Sequence, residues 1–233
     1  MEEKTSSFFS FKNIFKKIAK FFFYFFVISI ASTILLRFVP IFFTPLMAIR
    51  FFEQVFSSEK NLKFEKEWIS SKSISPHIKN AVICSEDQNF KTHFGFDFEA
   101  IEKAIKYNSK HQKIRGASTI SQQTAKNVFL WNGRNWIRKS LETYFTILIE
   151  IFWTKEKILE VYLNIIEFGD GIYGIEKASQ IYFKKSANKL SKNESALLAA
   201  ILPNPRRWNL HHPTKYILKR KNHILQQMAY NNF

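Results

Sequence analysis

The sequence predicts a mainly α-helical domain preceded by one transmembrane helix, and three observations carry that prediction. From Phe21 to Leu36 sixteen residues pass without a charge. Beyond residue 72, polar capping residues recur directly ahead of apolar segments with helical spacing. No convincing run of alternating apolar and polar residues marks a succession of strands.

Extended to Ile18 and Val39, the first apolar segment has 22 residues, roughly 33 Å of helix against a hydrocarbon core of about 30 Å. Lys20 and Arg37 lie near its ends, where long cationic side chains snorkel to the headgroups. Lys4, Lys12, Lys16 and Lys17 in residues 1–17 put that tail in the cytoplasm and the rest of the chain outside. The run is longer than a signal-peptide core and is followed by no convincing small-x-small cleavage site, which favours an uncleaved anchor over residues 18–39.

After the anchor, Pro40 and Pro45 break a second apolar stretch, which is expected to lie at the membrane interface or against the domain. Residues 53–72 are polar. The whole of 40–72 therefore reads as a membrane-proximal connector, and 73–233 as the folded domain. In that domain Ser75-Pro76 opens a helix, Asp97 caps one reaching about Asn108, and Ser140 to Trp153 forms a strongly apolar one. Thr154 caps Lys155 to Ile165, and Ser191-Lys-Asn-Glu194 is a capping box before Ala196 to Leu202. Glycines at 95, 116, 133 and 169–174 mark loops.

Composition bounds the function. Apolar residues make up 46% of the 233, ample for a core. Lys and Arg number 35 against 19 Asp and Glu, a formal charge of +16, and most of the excess follows Pro40. Such a surface seeks an anion: nucleic acid, anionic lipid or a phosphorylated substrate. An extracytoplasmic domain beside lipid headgroups argues against nucleic acid. The single cysteine, Cys84, excludes an intrachain disulfide and reads as core, within the apolar run Ala81-Val82-Ile83.

Three polar runs carry candidate chemistry. The first is Glu86-Asp87-Gln-Asn-Phe-Lys-Thr-His93-Phe-Gly95-Phe-Asp97; a carboxylate ending a buried element is partly desolvated and can act as a general base, although the same residues also suit a capping and loop-stabilising cluster. The second is Arg115-Gly-Ala-Ser118-Thr119-Ile-Ser-Gln122-Gln123-Thr-Ala-Lys126-Asn127. Its amides and hydroxyls can address sugar hydroxyls and its Lys126 a phosphate, or it is a polar loop or helix N-terminus. In the third, Arg138-Lys139-Ser-Leu-Glu142, the glutamate lies one turn from Arg138, as in an ordinary i,i+4 ion pair, with Arg134 a further turn back.

Taken in order, these runs resemble the conserved blocks of the peptidoglycan glycosyltransferases (glycosyltransferase family 51). Two further blocks agree: Lys157-Ile-Leu-Glu160-Val-Tyr162-Leu-Asn164 with Gly169 to Gly174, and Glu194 to Pro205. The resemblance spans about residues 75–212. Departures are small: Ala117 stands where a second glycine is common, Thr143 and Thr146 where alanine is, and Asn209-Leu210 replaces Asn-Pro.

The resemblance implies a lysozyme-like glycosyltransferase domain that polymerises lipid II, taking its growing strand from undecaprenyl pyrophosphate. It implies Glu86 and Glu142 as the catalytic carboxylates, with Lys126, Arg134, Arg138 and Lys139 around the pyrophosphate. Ser118, Gln122, Gln123 and Asn127 are groove candidates, with Asp87 and His93 in support. It places the chain in the inner membrane, catalytic domain facing the periplasm, among membrane lipids and other cell-wall synthesis or division proteins. A divalent cation, Mg or Mn, at the pyrophosphate is allowed by the resemblance and established by no residue pattern; His77, His93, His111 and His211-His212 make no zinc spacing. The rivals are a lytic enzyme cleaving existing glycan and a non-catalytic scaffold. Ser57-x-x-Lys60 and Ser186-x-x-Lys189 lack a following Lys-Thr-Gly, so no transpeptidase is read here.

Overall fold

Phenylalanine crowding and the uncharged run Phe21 to Leu36 make the apolar part of the first element. Helix α1 runs Glu3–Leu36, and its stretch Asn13–Leu36 is long and apolar enough to cross a membrane. Phe21, Phe23 and Ile28 stand exposed along it, a poor surface in water and a good one in lipid. The computed structural model describes residues 3–56, 63–112, 114–133 and 135–230, in two units, Met1–Val39 and Pro40–Phe233.

The second unit is built from nine helices among the described residues, α2 (Pro45–Phe56), α3 (Pro76–Glu86), α4 (Phe98–Asn108), α5 (Ile120–Phe129), α6 (Trp136–Phe152), α7 (Lys155–Ile165), α8 (Ile175–Phe183), α9 (Lys192–Ile201) and α10 (Lys215–Tyr230). The expected caps are in place. Ser75 Oγ accepts from His77 N, Asp97 from Ala100 N and Thr154 from Lys157 N, while Ser191 and Glu194 form the capping box of α9. Helix α6 starts earlier than its apolar run, because Asn135 caps it at Arg138 N.

Alanine decides the tightest packing. Ala196, Ala199 and Ala200 on α9 are fully buried, and their small side chains let both α3 and α10 press against that helix. On the other side α5 packs against α6 and α7, with Ile120, Ala125, Ile149, Ile158 and Tyr162 wholly buried.

The stretch expected as a connector contributes structure to the second unit: α2 packs on α5, and β1 (Glu65–Lys66) pairs in parallel with β3 (Ile172–Tyr173). Antiparallel to β3 lies β2 (Glu167–Gly169), giving the order β1-β3-β2. Glu65 N donates to Gly171 O at 2.8 Å. A Cβ on Gly171, whose φ is +70°, would come within 2.1 Å of Lys63 O, so only glycine lets β1 dock here.

Candidate functional site

Helix α3 buries Ile78, Ala81 and Val82 and ends on Glu86, which delivers that carboxylate to the wall of a cleft of about 790 Å³. Gln123, Arg220, Ser118 and Pro203 also line the cleft. Gln123 Nε2 donates to Glu86 Oε2 at 3.2 Å, and Arg220 Nη2 donates to Oε1 at 3.3 Å. Ser85 Oγ lies 3.0 Å from the same Oε1 and also receives Arg220 Nη2 at 3.0 Å.

Gln123 is itself aimed. The buried Tyr162 hydroxyl donates to its Oε1 at 3.2 Å, which leaves the amide nitrogen to face Glu86. Burial, reinforced by the negative charges of Glu86 and Asp87, pushes the Tyr162 phenol well up, so it stays a donor.

Three carboxylates line the cleft, and two are occupied with backbone. Asp97 Oδ1 caps α4 at Ala100 N and its Oδ2 accepts from Asn89 Nδ2. Asp87 Oδ2 accepts from Ile120 N at the start of α5, and its Oδ1 lies 2.8 Å from His93 Nε2. Gln122 is similarly engaged, since its Oε1 accepts from Thr119 N in the capping box of α5. Thr119 Oγ1 in turn donates to Gly95 O at 2.7 Å. Asp87→Ala is expected to uncap α5, costing roughly 1–3 kcal/mol for the buried groups left unpaired, and thermal unfolding in detergent measures it. A melting point equal to wild type would sink this reading of Asp87.

Glu142 lies elsewhere, among cations, and does not line the cleft. It is buried, with Arg138 Nη1 donating at 2.6 Å and Lys139 Nζ at 2.5 Å. Lys126, brought alongside by the packing of α5 on α6, has its ammonium held below the usual lysine range by burial, an effect Glu142 opposes and the charges of Arg138, Lys139 and Arg50 reinforce. One carboxylate thus faces several cations, an arrangement that wants an anion. To a divalent cation the cluster offers a single carboxylate already engaged twice, a poor donor set. Asn127 Oδ1 and Arg138 Nε are buried without hydrogen-bond partners among the described residues. Arg134 lies outside those residues.

Sequence reasoning missed Arg220. The clue was the spacing of Ile217, Ile224 and Met228, which bury one stripe of α10 and put Arg220 on its edge.

A helical domain thus sets one carboxylate free of helix ends in a cleft and, apart from it, a cluster of cations around a buried carboxylate, chemistry suited to a polar, anionic molecule. The chain belongs to the transglycosylase family, whose family model matches residues 53–229. It is 53% identical over 205 residues to the biosynthetic peptidoglycan transglycosylase of Bdellovibrio bacteriovorus, covering 88% of this chain and 82% of that one. It is 51% identical over 213 residues to the protein of the same name from Mannheimia succiniciproducens, covering 91% and 87%. The Bacteroides thetaiotaomicron protein of that name is 53% identical over 205 residues, covering 88% and 82%.

Proposed function

We propose that this transglycosylase polymerises glycan strands from lipid II with Glu86 as its base. The observation that carries the assignment is that Glu86 alone, of the three carboxylates lining the cleft, is not committed to a helix N-terminus. Its oxygens retain a lone pair beyond those facing Gln123, Arg220 and Ser85, enough to accept one proton.

The GlcNAc 4-hydroxyl of the acceptor gives its proton to Glu86 as its oxygen attacks the anomeric carbon of the strand carried on undecaprenyl pyrophosphate. The bond from that carbon to the phosphate oxygen breaks, the centre inverts to β, and the pyrophosphate leaves with the electron pair. Lys126, Arg138 and Lys139 stabilise that negative charge, and Arg134 is assigned with them from sequence. Glu142 fixes the two cations it binds. The apolar stretch of α1 holds the chain in the inner membrane, with the catalytic domain on the periplasmic side, so that both lipid-borne substrates meet the cleft at high effective concentration. On this reading residues 1–17 are the cytoplasmic tail and 18–39 the span. Other cell-wall synthesis or division proteins are its expected partners.

The test is incubation of the detergent-solubilised chain with labelled lipid II. Polymer that a muramidase digests is the expected product; release of fragments from purified glycan without polymer would favour a lytic enzyme. A second expectation concerns pH. Lys126 must be protonated to hold the leaving group, and burial lowers its pKa, so diphosphate binding is expected to fail on the alkaline side at a lower pH than an ordinary lysine allows. Binding of a prenyl diphosphate measured across that range checks the sign: affinity that holds steady to the ordinary lysine range would exclude Lys126 as the grip.

A further inference from the structure

Helix α2 is oriented against the usual logic of burial. Phe51, Phe52, Val55 and Phe56 are exposed, while Met47 is fully buried and Arg50, one turn on, has a side chain only 21% exposed. A helix facing water hides its aromatics and shows its cations; this one does the reverse. The outward aromatic face suits a bilayer interface, the depth at which a lipid carries its phosphates.

The inward cation has somewhere to act. Helix α2 packs against α5, which bears Lys126, and the Arg50 charge is felt at Lys126 as well as at Glu167 and Tyr173. Its Nη1 donates to Glu53 at 2.6 Å, a pair on the exposed rim, whereas Nε is buried with no hydrogen-bond partner among the described residues. Burying a guanidinium donor without an acceptor is costly, and the planar fork matches two oxygens of a phosphate.

We propose that Arg50 is a further substrate-binding residue, whose guanidinium donates to a phosphate oxygen of the lipid diphosphate beside Lys126. This rests on the polymerase reading for the identity of the lipid, and extends the anion site to a helix that precedes all the polar motifs. It makes the membrane-proximal helix a sensor of the substrate's headgroup as well as a support.

The experiment uses the full chain in nanodiscs of zwitterionic lipid, with a short prenyl diphosphate, the parent prenyl alcohol and inorganic pyrophosphate as probes. Arg50→Ala is expected to weaken diphosphate binding about tenfold or more and leave alcohol binding unchanged, with Arg50→Lys recovering part of the loss. Inorganic pyrophosphate should displace the prenyl diphosphate from wild type and do so less well from Arg50→Ala. Glu53→Gln, which frees the guanidinium, should bind the diphosphate as well as or better than wild type. Equal loss of diphosphate and alcohol affinity would make Arg50 a structural residue and overturn the proposal. So would unchanged diphosphate binding in Arg50→Ala, or a loss seen only with phosphatidylglycerol vesicles, which would assign Arg50 to bulk lipid. Arg50-dependent diphosphate binding by a wild type that makes no polymer supports Arg50 while refuting the polymerase reading.

Discussion

Glu86→Gln is expected to lower kcat on lipid II by about a thousandfold, roughly 4 kcal/mol of transition-state stabilisation, with KM little changed. The variant keeps the size of the side chain and removes the proton acceptor. It also disturbs the setting, because Gln123 Nε2 and Arg220 Nη2 are both donors aimed at this group, and an amide offers one oxygen where the carboxylate offered two. One of the two donors must then face an NH₂ group. Glu86→Asp separates these effects: it retains a base, withdraws it by one methylene, and is expected to keep measurable polymerisation. The rate of polymer formation under saturating lipid II decides the matter. More than a tenth of wild-type kcat in Glu86→Gln would remove Glu86 from the role of base.

The second large effect is at Glu142. Removing the carboxylate by Glu142→Ala leaves Arg138, Lys139 and Lys126 facing one another without a counter-charge in a buried place, and breaking a buried pair costs about 3–5 kcal/mol. Stability and binding should therefore fall together, and the pH dependence tells them apart. Glu142 is the group that raises the Lys126 pKa against burial; without it the ammonium loses its proton at still lower pH, and the alkaline limit of diphosphate binding should move down. A variant that is merely less stable would keep the wild-type limit. Calorimetry of prenyl diphosphate binding at several pH values, under conditions where the variant remains folded, is the measurement.

Elements with a clear start signal were legible from sequence. Asp97 and Thr154 begin helices whose bounds, Phe98–Asn108 and Lys155–Ile165, agree with the reading. Helix α5 was not, because it is buried on nearly every side and fills those positions with Ser121, Gln122, Thr124 and Asn127, so that no apolar stripe forms. Its start was encoded in Thr119 and Gln122 as a capping box that uses Gln rather than Glu. The strands are two or three residues long, too short for alternation to register. At the site, the motifs were visible as sets of residue types, whereas their division of labour was not. Gln122 and Gln123 are adjacent in sequence, yet one closes a helix end and the other touches the base. Arg220 lies 134 residues from its carboxylate, a pairing that only the docking of α10 on α3 and α9 creates.

The hydrogen bonds from Ile120 to Asp87 and from Gln123 to Glu86 join the end of α3 to the first turn of α5, through two consecutive residues on one side and two residues a turn apart on the other. Two fastenings across one joint keep the end of α3 in register with the start of α5. The stretch that leads into α5 lines the same cleft. Its residues 114–118 have no regular structure, and a Cβ added at Gly116 would meet no atom within 4 Å beyond its chain neighbours. A strand-building catalyst organised in this way keeps its base aligned with the helix that carries its groove residues, whatever sugar is passing.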